Sequence, residues 1–350
     1  MKHYVGLDVS LEETSIALIS GCGRVVREGK ALSDPASLAG YCAGFGVEIE
    51  RIGLEAGPLS QWLHEGLRAA GLPVVCLETR QVKAALSAQK NKTDRNDAVG
   101  IGQIVRTGWY QEVHVKSRSA QEMRVLLSNR RLLLSQRVDI DNELRGVLRN
   151  FGLKVGKISK GKFEDRIREL LSEEPMLAGV IEPMLAVRKV VVAEYTKLHK
   201  LLLAHVRCDA DCLRSMTVPG VGPVTALAYK AGVDDPRRFK SSQAVGAHFG
   251  MTPRRYQSGE IDRNGRISKC GDEMVRTALF EAAGTLLTRV KHPSALRDWG
   301  LRLAKRRGLG KAKIAVARRL AVILHRMWVD GTEFQAQPEI MARQGLKLAA

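Results

Sequence analysis

The stretch His3-Tyr4-Val5-Gly6-Leu7-Asp8-Val9-Ser10 decides the reading of this chain. It is an apolar strand that ends on a carboxylate, and the same form returns at Ile52-Gly53-Leu54-Glu55-Ala56-Gly57. A third acidic segment, Lys92-Thr93-Asp94-Arg95-Asn96-Asp97-Ala98, opens a helical pattern. Buried carboxylates repel one another unless a divalent cation neutralises them. Asp8, Glu55, Asp94 and Asp97 therefore point to metal-dependent chemistry rather than to packing.

Outward from these acids, residues 3–8, 14–20 and Arg24 to Leu32 read as an antiparallel meander of three strands. A helix begun by Ser33 or Asp34 turns Leu38 and Tyr41 inward. A strand through Ile49, Ile52 and Leu54 follows, then a helix from Leu59 to Ala70 ended by Gly71, a strand over 73–77, and helices over 79–89 and 93–107. The order β-β-β-α-β-α-β-α predicts an α/β domain over 1–112 with the ribonuclease H-like fold, a mixed sheet flanked by helices. In such a core the first acid lies on the first strand and the second at the end of the fourth, which is where Asp8 and Glu55 fall. Asp94 and Asp97, three apart, share one helix face. The four together suit one or two hard divalent ions, Mg²⁺ above all. Plain alternatives are Asp8 capping a turn, Glu55 pairing with Arg51 and Asp94 as a helix N-cap. The opening strand alone also suits a phosphate-binding fold of the actin or sugar-kinase type, but the second phosphate loop which that fold needs is absent from the sequence.

Formal net charge is +19 over 350 residues, the footprint of a nucleic-acid partner. Residues 1–110 hold 12 Lys/Arg and 12 Asp/Glu, so the whole excess lies beyond them. No uninterrupted apolar run is long enough to span a membrane, and the N-terminus enters a strand without a signal-peptide pattern. Six scattered cysteines fit free thiols in a reducing compartment. Cys208 and Cys212, near His199 and His205, lack the second pair that a zinc site requires. These features predict a soluble, cytoplasmic protein with no membrane association.

From Ala120 to Phe151 runs one long helical pattern in which Leu126, Leu133, Ile140 and Val147 recur every seven residues, suited to a coiled-coil arm or a dimer contact within a helical region over 113–213. Its other faces carry Arg124, Arg130, Arg131, Arg137, Arg145 and Arg149, which either follow a phosphate backbone or are simply solvated. A Lys/Gly stretch, Lys154 to Lys162, interrupts it, and helices resume from Phe163 to Leu213 with Pro175 and Pro183 as break points. A last region, 214–334, contains Val218-Pro219-Gly220-Val221-Gly222-Pro223, the form of a helix-hairpin-helix turn whose glycines leave backbone N–H groups facing a phosphate. After a helix over 242–250 comes Gly250-Met251-Thr252-Pro253-Arg254-Arg255-Tyr256-Gln257-Ser258-Gly259, then Arg263, Arg266, Ser268 and Lys269. Helices over 271–290 and 311–329 and a loose tail over 335–350 complete the chain. Gly220, Gly222, Arg254, Arg255, Tyr256, Arg266 and Lys269 are the expected nucleic-acid contacts.

A serine hydroxyl attacks phosphate only when its proton is removed and cations stabilise the phosphoryl oxygens. Ser258 follows two arginines, Gly259 leaves room beside it, and Tyr256 can stack on a base or sugar. By residue type alone it reads as a loop serine. Ser241, Ser242 and Ser268 are rival hydroxyls, the first two better suited to an N-cap.

Taken together, the segments around Asp8, 92–98, 218–222 and 250–259 resemble the DEDD insertion-sequence transposases, whose better-studied members are bridge-RNA-guided recombinases. The likeness runs over nearly the whole chain. It implies a RuvC-like nuclease domain that binds Mg²⁺ through Asp8, Glu55, Asp94 and Asp97, and a C-terminal transposase domain whose nucleophile is Ser258. It further implies a composite active site in a homodimer that pairs into a tetramer on donor and target DNA. A phosphoserine intermediate, strand exchange through a Holliday-junction-like species and a structured non-coding (bridge) RNA belong to the same implication, as does a prokaryotic, nucleoid-associated setting. Two alternatives stand beside it. One is a RuvC-like junction resolvase that uses metal-activated water; the other is a non-catalytic helix-hairpin-helix nucleic-acid-binding protein.

Overall fold

The computed structural model describes residues 2–336, so most of the expected tail, from 337 on, lies outside the described residues. The chain divides into two compact units, Met1–Lys116 and a second that begins at Ser117.

In the first unit the strands β1 (His3–Val9), β2 (Glu13–Ser20) and β3 (Val25–Leu32) precede α1 (Pro35–Ala43), β4 (Ile49–Glu55), α2 (Ser60–Ala69), β5 (Val74–Leu77), α3 (Thr79–Leu86) and α4 (Asp94–Thr107). The sheet order is β3-β2-β1-β4-β5. β2 runs antiparallel to both its neighbours, while β1, β4 and β5 are parallel, so the mixed sheet with flanking helices is as expected. Strand alternation sorts β1 between two layers. Val5 and Leu7 bury against Leu38 of α1 and Leu63 and Leu67 of α2. On the opposite face Tyr4 packs toward Ile101 and Val105 of α4. Asp34 caps α1 by accepting from the Ser37 N–H at 2.9 Å.

Gly6 and Gly53 explain how close α4 lies to the sheet. A Cβ on Gly6 would meet the Ala98 carbonyl oxygen at 2.0 Å, and one on Gly53 would meet Val105 Cγ2 at 2.2 Å. The helix rests directly on the backbone of β1 and β4, and no side chain fits between them.

The second unit contains α5 (Arg118–Asn150), α6 (Phe163–Leu170), α7 (Pro175–Arg207), α8 (Ala210–Met216), α9 (Pro223–Val233), α10 (Ser242–His248), β6 (Pro253–Ser258), β7 (Ile261–Ile267), α11 (Glu273–Thr288), α12 (Ala295–Arg307) and α13 (Leu309–Asp330). α5 and α7 lie antiparallel. Arg130 on one bonds Tyr195 and His199 on the other, and further along Asp141 bonds Arg188. At the far end Leu144, Leu148, Phe163, Ile167, Ile181 and Leu185 form a small core. Arg188 is 3% exposed there, held between Asp141 at 2.6 Å and Glu164 at 2.8 Å.

Three expectations need correction. Pro183 does not break its helix, and α7 runs through it from Pro175 to Arg207. Pro183 and Gly179, whose carbonyl loses its partner, both face solvent, while Ile181 and Leu185 anchor the opposite face. The buried residues of α5 are Ala120, Met123, Leu127, Leu144 and Leu148; Leu127 and Leu148 stand one position past Leu126 and Val147, which are only half-buried, and the helix packs on α7 and α9 of its own chain. Four of its arginines are engaged internally. Arg124 pairs with Asp272, Arg130 bonds Tyr195, Arg137 lies 4.0 Å from Asp141, and Arg145 donates to the Gly156 carbonyl.

Candidate active site

Asp8 and Glu55 are neighbours by register. Gly6 pairs with Gly53 and Leu7 with Leu54, so the next residues of two parallel strands, both at their C-terminal ends, are the two acids. By strand alternation they share the face of Gly6 and Gly53, the face that α4 covers. The Thr93 side chain caps α4, accepting from the Asn96 N–H at 3.2 Å, and Asp94 and Asp97 fill its first turn. Asp94 is therefore not the N-cap, though it and Asp97 gain from the helix dipole. Arg51 does not pair with Glu55 either; its guanidinium donates to the Tyr110 hydroxyl at 2.8 Å. An open cleft of about 540 Å³ is lined by Asp8, Leu11, Glu55, Gly57 and Ser60.

The electrostatics show how tightly the acids are coupled. Burial pushes the Asp8 carboxyl from its ordinary 3.8 up to about 6, with the negative charges of Asp97, Asp94 and Glu55 adding to the rise and Lys92 opposing it. Glu55 is also raised, first by burial and then by Asp97, against the opposing effects of the Thr79 hydroxyl and Lys92. Asp97 itself is buried. Lys92 is a site residue that sequence reading passed over, although it stands two residues before Asp94 in the same segment. Among the described residues no three His, Cys, Asp or Glu side chains are arranged to grip one ion together. The donor set nevertheless fits a hard divalent cation. It offers only carboxylate oxygens, and burial, with the neighbouring negative charges adding to it, holds Asp8 raised.

Ser258 ends β6 in the second unit, in a two-stranded hairpin where the sequence alone suggested a loop. Ser258 pairs with Ile261 across Gly259 and Glu260, with Gly259 at φ +56°. A Gly-X pair between two extended runs is a two-residue hairpin signal that was available in the sequence. The Ser258 hydroxyl is exposed and has no hydrogen-bond partner among the described residues. Arg255 donates twice to Asp262, both at 2.8 Å, which pushes Asp262 down and Arg255 up. Arg254 donates to the Ser268 carbonyl, Tyr256 is 64% exposed, Arg266 faces solvent, and Lys269 follows at φ +55°. The other predicted contact, the turn of Gly220 and Gly222, joins α8 to α9. A Cβ on Gly220 would meet the Ala282 carbonyl of α11 at 2.6 Å, so packing alone requires that glycine. Cys212 is buried, its thiol pushed up to about 12 by burial, while Cys208 is exposed.

Comparison with known proteins finds two family matches, the first of which runs from the first unit through α5 of the second. A DEDD transposase model of the IS110 type matches residues 5–152, and the model for the transposase IS116/IS110/IS902 family matches residues 212–299. The chain belongs to this transposase family. A transposase for insertion sequence element IS1111A from Coxiella burnetii is 29% identical over 333 residues, covering 91% of this chain and 88% of that one. A probable family 20 transposase from Pseudomonas aeruginosa is 28% identical over 280 residues, 78% of this chain and 82% of its own. Among solved structures, Thermus thermophilus RuvC in complex with a Holliday junction substrate aligns over 32% of this chain and 100% of that one, at 15% identity and a TM-score of 0.24. That score is too low to add weight to the sheet order. As a transposase of this family the protein cleaves and rejoins DNA. Among the described residues no helix is long and apolar enough to cross a membrane.

Proposed function

We propose that this transposase moves an insertion sequence by RNA-guided recombination, through a covalent bond between Ser258 and DNA. The observation that supports the reading is geometric: Asp8 and Glu55 end the neighbouring parallel strands β1 and β4, and Asp94 and Asp97 fill the first turn of the helix that covers the same face. Such a cluster demands positive charge, and a DNA phosphate in transfer needs the same charge.

Asp8, Glu55, Asp94 and Asp97 would hold Mg²⁺, which supplies Lewis-acid stabilisation of phosphate oxygens when bound. Ser258 Oγ attacks a backbone phosphorus. The Oγ–P bond forms as the P–O3′ bond breaks, and the hydroxyl proton ends on the departing 3′ oxygen. The phosphodiester energy is kept in the phosphoserine, so rejoining to another 3′-hydroxyl needs no further energy source. Arg254, four residues up the same strand, would offset phosphate charge along the DNA, and Tyr256 would stack on a base or sugar. Arg255 is oriented by Asp262. Arg266 and Lys269 add backbone contacts, with the Gly220–Gly222 turn as a further one.

In this reading 1–112 is the nuclease domain, 113–213 the helical region and 214–334 the domain that carries the serine. A homodimer pairs into a tetramer on donor and target DNA, and a structured non-coding RNA supplies sequence choice by base pairing. The near-neutral first 110 residues and the basic remainder suit that division, with the protein contacting backbone and shape.

Replacing Ser258 by Ala tests the reading. Adducts between protein and DNA are expected to vanish while DNA binding persists. Cleavage that continues in Ser258→Ala with no adduct would favour the resolvase-type reaction with water.

A further inference from the structure

We propose that the exposed face of α12 and the first turn of α13 form a binding surface for the backbone of duplex DNA, outside every residue considered above. This rests on the transposase reading only for the identity of the polyanion. The surface also lies past residue 299, where the second family match ends.

From 299 to 329 the chain holds nine Lys/Arg and no Asp or Glu. Four of the nine have local partners. Arg319 lies 3.5 Å over the Trp299 ring and Lys313 5.5 Å from that of Phe280. Arg318 packs beside Gly246, and Arg326 bonds Asp330. The other five, Arg302, Lys305, Arg306, Arg307 and Lys311, are exposed and have no acidic partner among the described residues. Arg302, Lys305 and Arg306 share one helix face by their spacing of three and four. The opposite face, with Leu296 and Gly300, is buried.

The helix dipole explains only part of this. Lys305, Arg306 and Arg307 stand in the last turn of α12, where cations are favoured. Lys311 stands in the first turn of α13, where a cation opposes the dipole, and Arg302 lies too far from the end to benefit. Five like charges around one turn repel each other in the free protein, and an anionic surface laid across them removes that cost. At the bend between the two helices, Gly308 and Gly310 have no described atom within 4 Å of where a Cβ would be. A row of point charges without aromatic side chains among them suits the sequence-independent holding of a phosphate backbone.

The experiment uses the full chain and a short duplex DNA of arbitrary sequence, with anisotropy measured over a salt series. Arg302→Gln, Lys305→Gln, Arg306→Gln and Lys311→Gln combined are expected to weaken binding on the order of 100-fold near physiological salt. The slope of log K against log salt is expected to fall by about 0.9 for each phosphate that the variant no longer neutralises. The charge-conserving set, Arg302→Lys, Lys305→Arg, Arg306→Lys and Lys311→Arg, is expected to bind like wild type. A glutamine set that retains both affinity and slope overturns the proposal, as does equal weakening in the conservative set. Weakening confined to single-stranded RNA, with duplex DNA unaffected, overturns it too. Asp8→Asn separates the two readings. Wild-type cleavage by Asp8→Asn would remove the nuclease assignment, while a reduced salt slope in the glutamine set would still establish the surface.

Discussion

The four acids and Ser258 stand in opposite kinds of surroundings. Asp8 and Glu55 grow out of the buried core of the first unit, where Leu7 and Leu54 are fully buried beside them and α4 rests on bare backbone. Ser258 sits on a hairpin whose residues are almost all exposed, tied by its own strand ladder and by the pair of Arg255 and Asp262. The acids are positioned by the core, so their geometry is set on folding. The serine is positioned only locally, which leaves the hairpin able to meet DNA and be ordered by it. In the proposed reaction the acids, which gather charge, gain from a rigid frame, and the serine, which bonds covalently to a long polymer, gains from an exposed place.

Chemistry gives the largest effects by which that contrast can be broken. Ser258→Ala and Asp8→Asn are each expected to lower strand cleavage by a factor on the order of 10³ or more, read on labelled element ends, because each removes a group that the other does not replace. Only Asp8→Asn should leave the serine hydroxyl intact.

Backbone contacts come next. Gly6→Ala places a methyl group 2.0 Å from a carbonyl oxygen, and the shift this forces on α4 is expected to cost about 3 kcal/mol in denaturant unfolding. On the hairpin, a Cβ at Gly265 comes no closer than 3.5 Å to the Arg254 carbonyl, so Gly265→Ala should leave the unfolding midpoint nearly unchanged. Equal costs at the two positions would erase the distinction between frame and hairpin.

The coupling of the acids gives a smaller, pH-dependent effect. Asp8 is raised to about 6 from 3.8, so the fold favours its protonated form. The stability this group contributes is complete below the ordinary value and is lost as the pH rises through about 6. Taken at face value the displacement is about 3 kcal/mol, and solvent reaching the half-exposed carboxyl reduces it to about 1 kcal/mol. Asp8→Asn should therefore be the more stable protein at pH 8 and lose that advantage in acid, as followed by thermal unfolding. Added Mg²⁺ should stabilise wild type more than Asp8→Asn. The smallest effect is expected of Arg255→Gln. It breaks an exposed pair and should leave the melting temperature in place while weakening DNA binding.

The same contrast explains what could be read in the chain beforehand. Alternation in β1 and β4, with glycine, leucine and an acid in matched positions, encodes both strand and site, since buried surfaces constrain residue type. Thr93 before Asp94 marks the helix start in the same way. The hairpin has no apolar alternation because neither of its faces is buried, and only the Gly259-Glu260 turn hints at it. Ser258 is thus legible through resemblance to a family and not through its own neighbourhood. Pro183 misled because the break rule for proline assumes an unsupported helix, whereas Ile181 and Leu185 hold this one on its buried side. The α5 arginines misled because four of them have partners within their own unit, which a linear reading does not show. α12 escaped notice although Ser294, whose hydroxyl accepts from the Arg297 N–H at 3.3 Å, is an ordinary cap.

One measurement bears on the covalent step most directly. The protein is incubated with element-end DNA, the structured non-coding RNA proposed as its guide and Mg²⁺, the DNA is digested away, and the remaining peptides are mapped by mass spectrometry. The result expected is a nucleotide remnant on the peptide at Ser258, absent from both Ser258→Ala and Asp8→Asn. Cleaved DNA ends bearing a free phosphate, with the Ser258 peptide unmodified, would contradict it.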